Sequence, residues 1–434
     1  MLLIYLPAIT KRSEYVFELI FENELGLEYL ATTDTDKFDT HHQEKINYSS
    51  TRIGEEIFIK SSSVLFEQSI KKINVTTGTI GDVPVLFADA SCDVGFDIFA
   101  AVFYMVSRYE EYLPFKPDAH GRFNAVDSLA YQNNFLQLPV VNIWIKYFKN
   151  ILQQKFPSLQ FKSFSFKGIL TYDIDIAYAY RGRNILRTAG ATVKDIFTLR
   201  INNIFKRIQS LFGQKDPWDV YDSLQEMILK NKAEHVFFFL LGDYSRYDKN
   251  INYKHPLMNA LVKKISSFSD IGIHPSYKSS VIPEKILIEK LRLESIANKP
   301  ITKSRQHYLR FNLPDTYNHL LAAGITEDYS MGFTGLPGFR AGICTPFYFY
   351  DLQNERATEL KIFPVTIMDG TFLYYLKLKP KESLEIILSL IKEIKKVDGI
   401  FISIWHNDTI SDDGIYKGWK WVHDEMVKKI AGLL

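Results

Sequence analysis

The pattern of residues 166–425 constrains the fold most, because short buried strands alternate there with helical segments. The strands are KGILTY, EHVFFFLLG, SDIGIH, KPITKSRQ, GITEDYS, FPVTIMD and GIFISIWHN, and helical spacing covers 283–298, 314–323 and 381–397. Buried strands separated by helices predict an α/β fold, either a parallel sheet or a (β/α) barrel. In such folds the reactive groups lie at the carboxyl ends of the strands.

Residues 1–160 have a different pattern, which predicts a smaller α+β domain. Strands are expected at 2–7, 27–31, 56–60 and 83–88, and helices at 14–24, 96–113 and 138–156. A chain of 434 residues is long for one core. We therefore predict two domains, residues 1–160 and 161–434.

The bulk composition excludes several classes of protein. The net charge of +2 gives no field that would favour nucleic acid, and the two cysteines, Cys92 and Cys344, build no disulfide framework. The apolar start, MLLIYLPAIT, has no basic lead and is interpreted as a first strand. No apolar run reaches the length of a membrane span. The expectation is a cytoplasmic protein without a nucleic-acid partner.

Ionisable side chains follow one predicted strand after another. Each of them alone is compatible with a helix cap or a loop. Together at one edge of a sheet they predict a functional site. The residues are Asp173, Asp175, His274, His307, Asp369 and His406.

The first two of these carboxylates indicate a metal. Asp173 and Asp175 are two positions apart at a strand end, so both side chains point to one side, where they repel each other unless a cation lies near. Two histidines and one aspartate suit zinc or another divalent ion with an open position. Such an ion lowers the pKa of water toward ~7 and polarises a carbonyl, which is the chemistry of amide and ester hydrolysis.

Five segments carry a resemblance to a known family: TYDID at 171–175, DIGIHPSYKS at 270–279, SRQHYLRFNLPDTYNHLLAAGITEDYS at 304–330, GFRAGICTPF at 338–347 and SIWHND at 403–408. They resemble the motifs of the NodB-type polysaccharide deacetylases, which are carbohydrate esterases. The resemblance covers about residues 166–425 and implies a distorted (β/α) barrel. The earlier segments FDIFAAVFYMVSRYEEYL and HGRF resemble the accessory domain found before such catalytic domains in bacterial proteins.

The resemblance also implies roles for individual residues. Asp173 corresponds to the general base, Asp175 and His274 to metal ligands, His406 to the general acid, and Arg305 to the arginine that orients the base. Arg340, in a glycine-rich segment, is expected to face the site and stabilise the developing oxyanion, and a surface arginine is the alternative.

Two positions depart from the family pattern. Ile174 separates two aspartates that are usually adjacent, so the roles of Asp173 and Asp175 are open to exchange. Lys278 stands where a second metal-binding histidine is usual. We predict that His307 supplies that ligand, and the alternative is a two-ligand site that binds metal poorly.

The predicted function is removal of acetyl groups from an N- or O-acetylated sugar during polysaccharide synthesis or remodelling, with zinc as the expected ion. One alternative is a glycan-binding pseudoenzyme of the same fold, because of the missing histidine. Another is hydrolysis of a non-sugar C–N bond.

The segment 181–215 is a basic amphipathic helix in sequence, with eight Lys or Arg and a single acid. Its helical face comprises Phe197, Ile201, Ile204, Ile208 and Leu211. One interpretation is weak contact with an anionic membrane near a lipid-linked sugar, through Arg200, Lys206 and Arg207. The other, favoured by the sequence, is that the apolar face covers the barrel.

Overall fold

The C-terminal part of the chain is built on one sheet of nine strands. The computed structural model describes residues 1–183, 185–199 and 201–434. The strands are β7 (Lys167–Ile174), β8 (Glu234–Phe239), β9 (Asp270–Ile273), β10 (Lys303–Ser304), β11 (Glu327–Asp328), β12 (Phe347–Asp351), β13 (Arg356–Ile362), β14 (Ile367–Met368) and β15 (Ile400–His406), which follow the N-terminal strands β1–β6 given below.

Helices connect these strands and cover the sheet. Two of them begin with a proline in the first turn, where the missing N–H costs no helical hydrogen bond. The helices are α6 (Ile185–Phe197), α7 (Ile201–Leu211), α8 (Tyr221–Lys230), α9 (Pro256–Ser266), α10 (Glu284–Ala297), α11 (Asp315–Ala322), α12 (Pro380–Lys396), α13 (Asn407–Ile410) and α14 (Trp419–Ala431).

The strand order is β12-β13-β11-β10-β9-β8-β7-β15-β14. All neighbouring strands are parallel except β12 and β13. Continuous apolar runs form the central strands because both faces are covered, and β7 is buried from Gly168 to Ile174. At Gly272 of β9, a Cβ atom would lie 2.7 Å from the carbonyl oxygen of Lys303, so this close strand approach requires glycine.

The described strands do not close into a complete barrel, although a distorted barrel was predicted. Among the described residues, β12 and β14 are the outer strands of the sheet and do not pair with each other. The mixed α/β architecture with a mainly parallel sheet agrees with the alternation of strands and helices in the sequence.

The N-terminal part has its own parallel sheet of four strands, in the order β2-β1-β3-β4, and a hairpin of β5 and β6. Strand β3 lies inside this sheet although the sequence pattern did not indicate it. The elements are β1 (Leu2–Tyr5), α1 (Lys11–Phe17), which continues as the π-helical Glu18–Leu25, β2 (Tyr29–Thr32), α2 (Thr35–Asp39), β3 (Lys45–Ser49), β4 (Ile57–Lys60), β5 (Thr77–Ile80), β6 (Val83–Leu86), α3 (Ile98–Val106), α4 (Leu129–Gln132) and α5 (Val140–Lys155).

The two parts of the chain share an interior. One cluster of buried apolar side chains extends from Leu2 to Ile430. Buried ion pairs cross between the parts, as when the Arg340 guanidinium donates to both carboxylate oxygens of Glu111 at 2.9 and 2.6 Å. Unpaired buried charges are costly, so this pair holds residues 111 and 340 together. No helix among the described residues is both long and apolar enough to cross a membrane.

Candidate active site

Of the seven residues with a predicted catalytic or metal-binding role, six meet at the carboxyl ends of the parallel strands: Asp173, Asp175, His274, Arg305, His307 and His406. All of these except Arg305 line a pocket of about 290 Å³, close to the lower limit, roughly 300 Å³, of small-molecule sites. The reactive side chains lie in the last residues of these strands or shortly after them, and the parallel pairing brings them to one edge. Asp173 and His406 are direct partners across β7 and β15.

Asp175, His274 and His307 form the centre of the pocket. The Nε2 atom of His274 lies 3.1 Å from Oδ1 of Asp175, and Nε2 of His307 lies 3.2 Å from Oδ2 of the same carboxylate. One ligand atom from each residue falls within 4.8 Å of the others, which is an arrangement able to hold a metal ion. His307 thus lies beside the two other residues for which a metal-binding role was predicted.

The outer nitrogens of both histidines are already engaged. Nδ1 of His274 lies 2.5 Å from the backbone oxygen of Arg305, and Nδ1 of His307 lies 2.9 Å from Oδ1 of Asp248. Because these oxygens only accept, each Nδ1 must donate, which leaves the Nε2 lone pairs facing Asp175 in the neutral rings. Such outer partners are typical of metal-binding histidines.

The electrostatics of this centre favour a cation. Burial would raise the pKa of Asp175, but His307 and His274 hold it well below its usual range. Burial would lower the pKa of His307, but Asp175 and Asp248 raise it to about 9. Oδ1 of Asp175 is buried and no described residue donates a hydrogen bond to it. The two histidine Nε2 atoms and the Asp175 carboxylate oxygens face one another, so protons or a positive ion must lie between them. This set of ligand atoms therefore fits a divalent metal.

Asp173 is held by an arginine and stands beside the triad. Nη1 of Arg305 donates to Oδ1 of Asp173 at 2.8 Å and to Thr171 at 2.6 Å. The guanidinium is fully buried over the ring of Phe238. The second oxygen of Asp173, Oδ2, lies 3.7 Å from Nε2 of His274. One carboxylate oxygen is therefore fixed by Arg305 while the other faces the centre of the pocket.

His406 is oriented by Asp369 at the end of the neighbouring strand. Nδ1 of His406 lies 2.7 Å from Oδ1 of Asp369, and the backbone N–H of His406 donates to Oδ2 at 2.8 Å. Nε2 of His406 lies 3.6 Å from Oδ2 of Asp175. Burial would lower the pKa of His406, but Asp369 and Asp175 raise it well above its usual range. Both carboxylates thus favour the protonated form of the ring, whose Nε2 faces Asp175.

Arg340 lies away from the pocket, so the expected oxyanion role is corrected. Its guanidinium is buried, paired with Glu111, and hydrogen-bonded to the backbone oxygen of Gly332 at 3.0 Å. It also lies over the ring of Phe311, 4.2 Å from the centroid. The glycine-rich loop around Arg340 makes room for contact with the N-terminal part. The alternative of a surface arginine is also not observed.

Two functional contributors were missed by the sequence reasoning. Asp248, which fixes His307, lies in the loop between β8 and α9, where strand patterns give no signal. Arg122 comes from the N-terminal part and lines the pocket. It donates to the backbone oxygen of Tyr308 at 2.7 Å and to the hydroxyl of Tyr375 at 3.2 Å. The HGRF segment was recognised in the sequence, but without any position relative to the site.

The loop that carries Arg122 forms part of the pocket rim. His120 contacts the Tyr277 hydroxyl at 3.0 Å, and its ring lies 5.1 Å from that of Tyr308. Tyr308 has a φ of 63°, a strained conformation for a residue with a side chain. The bond from Arg122 to its carbonyl helps to hold this conformation next to His307. The N-terminal part thereby shapes one wall of the pocket.

Residues 2–157 match a family of unknown function, DUF7033. None of the curated proteins matches the sequence.

Solved structures similar to this chain include polysaccharide deacetylases. A Mycobacterium smegmatis protein described as one is 13% identical over 63% of this chain and 86% of its own, with a TM-score of 0.42. The deacetylase Bc1974 of Bacillus cereus is 13% identical over 59% and 87%, with a TM-score of 0.29. A carbohydrate esterase family 4 (CE4) pseudoenzyme of Bacillus anthracis is 10% identical over 61% of each chain, with a TM-score of 0.29. Likeness at this level leaves the reaction to be argued from the pocket itself.

Proposed function

We propose that this protein is a metal-dependent hydrolase that removes acetyl groups from an N- or O-acetylated sugar. The observation that carries the proposal is the pocket in which an Asp-His-His triad lies between Asp173, held by Arg305, and His406, held by Asp369. One small cavity thus contains metal ligands, a candidate base and a candidate acid. Hydrolysis of an amide or ester uses groups of these three kinds.

Asp175, His274 and His307 would hold the divalent ion, for which zinc is our proposal because of the mixed nitrogen and oxygen donors. When bound, such an ion supplies Lewis acidity that polarises the acetyl carbonyl and eases deprotonation of water. Lys278 stands where the family motif usually has a second histidine, and in this proposal His307 of the following strand end supplies that ligand. The missing histidine of the sequence motif therefore does not by itself argue for a pseudoenzyme.

Asp173 is our candidate for the general base. Arg305 donates a hydrogen bond to one of its oxygens, and the other oxygen remains directed at the triad. In this role Asp173 accepts a proton from the attacking water as the new C–O bond forms. Asp173 lies beside the triad and not within it. This supports the assignment of Asp175 as the ligand, although Ile174 separates the two aspartates.

His406 is our candidate for the general acid. Asp369 holds the ring through Nδ1 and favours its protonated form, so Nε2 can transfer a proton to the leaving group. That leaving group is the sugar nitrogen or oxygen, which is released as the acetyl C–N or C–O bond breaks. Proton donation at this point prevents expulsion of an unstable anion.

The walls of the pocket support a sugar as the substrate. Tyr247, Tyr308, Tyr374 and Tyr375 line it beside the polar groups. Aromatic rings present flat apolar surfaces with polar edges, which suit the faces and hydroxyls of a sugar ring. The volume of about 290 Å³ suits one sugar unit with its acetyl group.

The test is acetate release from a panel of N- and O-acetylated sugars, with protein that has been stripped of metal and reloaded with zinc. Asp173→Asn should abolish release while zinc binding persists, whereas Asp175→Asn should lose zinc. Asp270→Asn is the matched control, because Asp270 is exposed at the opposite end of β9. Zinc binding without acetate release from any sugar would contradict the proposal, and release by the Asp173→Asn variant would remove that residue as the base.

A further inference from the structure

The helical hairpin of α6 and α7 exposes a large apolar surface. Phe197 and Leu199 are each 83% exposed, and Phe212 is 86% exposed. Further exposed apolar side chains on the two helices are Val193, Ile196, Ile201, Phe205 and Ile208. The sequence favoured a face that covers the barrel, but its members Phe197, Ile201 and Ile208 are exposed, and Ile204 is half-buried. Isolated exposed apolar residues are ordinary, whereas a contiguous group of this kind marks an interaction site.

The hairpin is anchored at the same end of the sheet as the active site. It begins a few residues after Asp175, and at its base the Asp216 carboxylate accepts from the backbone N–H groups of Ala179 and Tyr180, both at 2.8 Å. Lys206 of α7 pairs with Asp413, in the segment that follows His406 along the chain. The hairpin is therefore anchored to segments that follow the strand ends carrying Asp175 and His406.

The charge of this segment selects the kind of partner. Residues 181–215 carry eight Lys or Arg against one acid, Asp195, whereas the whole chain has a net charge of only +2. The cations that flank the hairpin, Arg181 and Lys215, are 38% and 55% exposed and lie 4.0 and 3.0 Å from carboxylate oxygens of Asp219 and Asp222. With these acids and Asp216 included, residues 181–222 still carry eight Lys or Arg against four acids. Exposed Phe, Leu and Ile beside a net positive charge match the chemistry of an anionic lipid surface, where rings insert at the headgroup level and cations meet phosphate.

We propose that the α6–α7 hairpin binds the surface of an anionic membrane, with Phe197, Leu199 and Phe205 in the interface. The hairpin lies in the interface without crossing it. Because it is anchored at the same end of the sheet as the pocket, binding would bring the pocket near sugars held close to the bilayer, such as those on a lipid carrier. This last consequence rests on the proposed deacetylase function, whereas membrane binding itself does not.

The ion pairs of the hairpin decide which variants can test this. Arg207 is buried and donates to Asp195 at 2.6 Å, and Lys206 is paired with Asp413. Charge reversal at these two positions would disturb the hairpin itself, and Arg200 lies outside the described residues. Apolar residues on the exposed surface are the better targets, because their substitution by serine removes no described ion pair.

The experiment is co-sedimentation of the full chain with vesicles of phosphatidylcholine alone or mixed with phosphatidylglycerol. We expect binding to the anionic vesicles at low salt, a decrease at high salt, and at least tenfold weaker binding for Phe197→Ser/Leu199→Ser. The control is Leu229→Ser/Val281→Ser, at two positions outside the hairpin that are 70% and 69% exposed. It should bind as the wild type does.

Three results would overturn the proposal. One is wild-type protein that stays in the supernatant with anionic vesicles at low salt. Another is equal binding by the hairpin variant, with unchanged circular dichroism. The third is a wild-type dimer in solution that the hairpin variant loses without any change in vesicle binding, which would make the surface a contact between copies. Because no substrate or metal enters the assay, its failure is distinct from a failure of the proposed reaction.

Discussion

Asp248 offers a sensitive test of the metal centre, because it touches no proposed metal position and acts through His307. Its Oδ1 atom lies 2.9 Å from Nδ1 of His307 and also accepts from the backbone N–H of Tyr277 at 2.8 Å. Replacement by alanine removes the acceptor that fixes which ring nitrogen of His307 carries the proton. The Nε2 lone pair is then no longer directed at Asp175 in every molecule, so zinc should bind more weakly.

The expected loss follows from the kind of contact that is removed. Outer partners of ligating histidines are worth about 10- to 100-fold in metal affinity, or roughly 1.4–2.7 kcal/mol. Asp248→Asn should lose less, because the amide oxygen can still accept from His307 or Tyr277 but carries no charge. Titration of the metal-free protein with zinc against a chromophoric chelator measures both values, with Asp270→Ala as the control. An Asp248→Ala variant that folds normally and binds zinc as the wild type does would refute the place of His307 in the triad.

The other expectations concern the acid and the interior of the molecule. His406→Ala should lower the rate of acetate release by about 10²–10⁴ without changing zinc affinity; an unchanged rate would exclude proton donation by His406. Burial would raise the pKa of Glu111, but Arg340 and Arg108 lower it to about 2, so its ionised form stabilises the fold above pH ~4.5 and this contribution is lost as the pH falls toward 2. Glu111→Gln should therefore reduce the free energy of unfolding by about 3 kcal/mol at neutral pH, with a smaller difference from wild type near pH 3, as measured by urea denaturation. A difference that grows as the pH falls would contradict this sign.

The residues that the sequence placed well are those at strand ends. Asp173, His274 and His406 follow apolar runs, and the parallel sheet brings such positions together whatever the exact loop structure. His307 could be nominated because it comes two residues after Arg305, although only the folded turn brings its Nε2 to Asp175. These positions depend on a local pattern and on one rule of topology, so one sequence was enough to find them.

Other features depend on contacts between distant segments, which no local pattern carries. Asp248 is 59 residues from His307 in sequence, and the ion pair of Glu111 and Arg340 spans 229 residues. The exposure of the α6–α7 hairpin was misjudged for a related reason. An amphipathic pattern indicates that a helix has an apolar face, but the rest of the fold decides what covers that face.

The loop of His120 and Arg122 has a consequence for how such a pocket can change in evolution. Arg310 donates to the backbone oxygen of His120 at 2.7 Å, and its guanidinium lies over Tyr277, 4.4 Å from the ring centroid. The front of the chain and the strand-end loops therefore interlock at the pocket wall. Exchange of the front segment between related chains would transfer part of the substrate selectivity with it, while the reacting groups stayed in place.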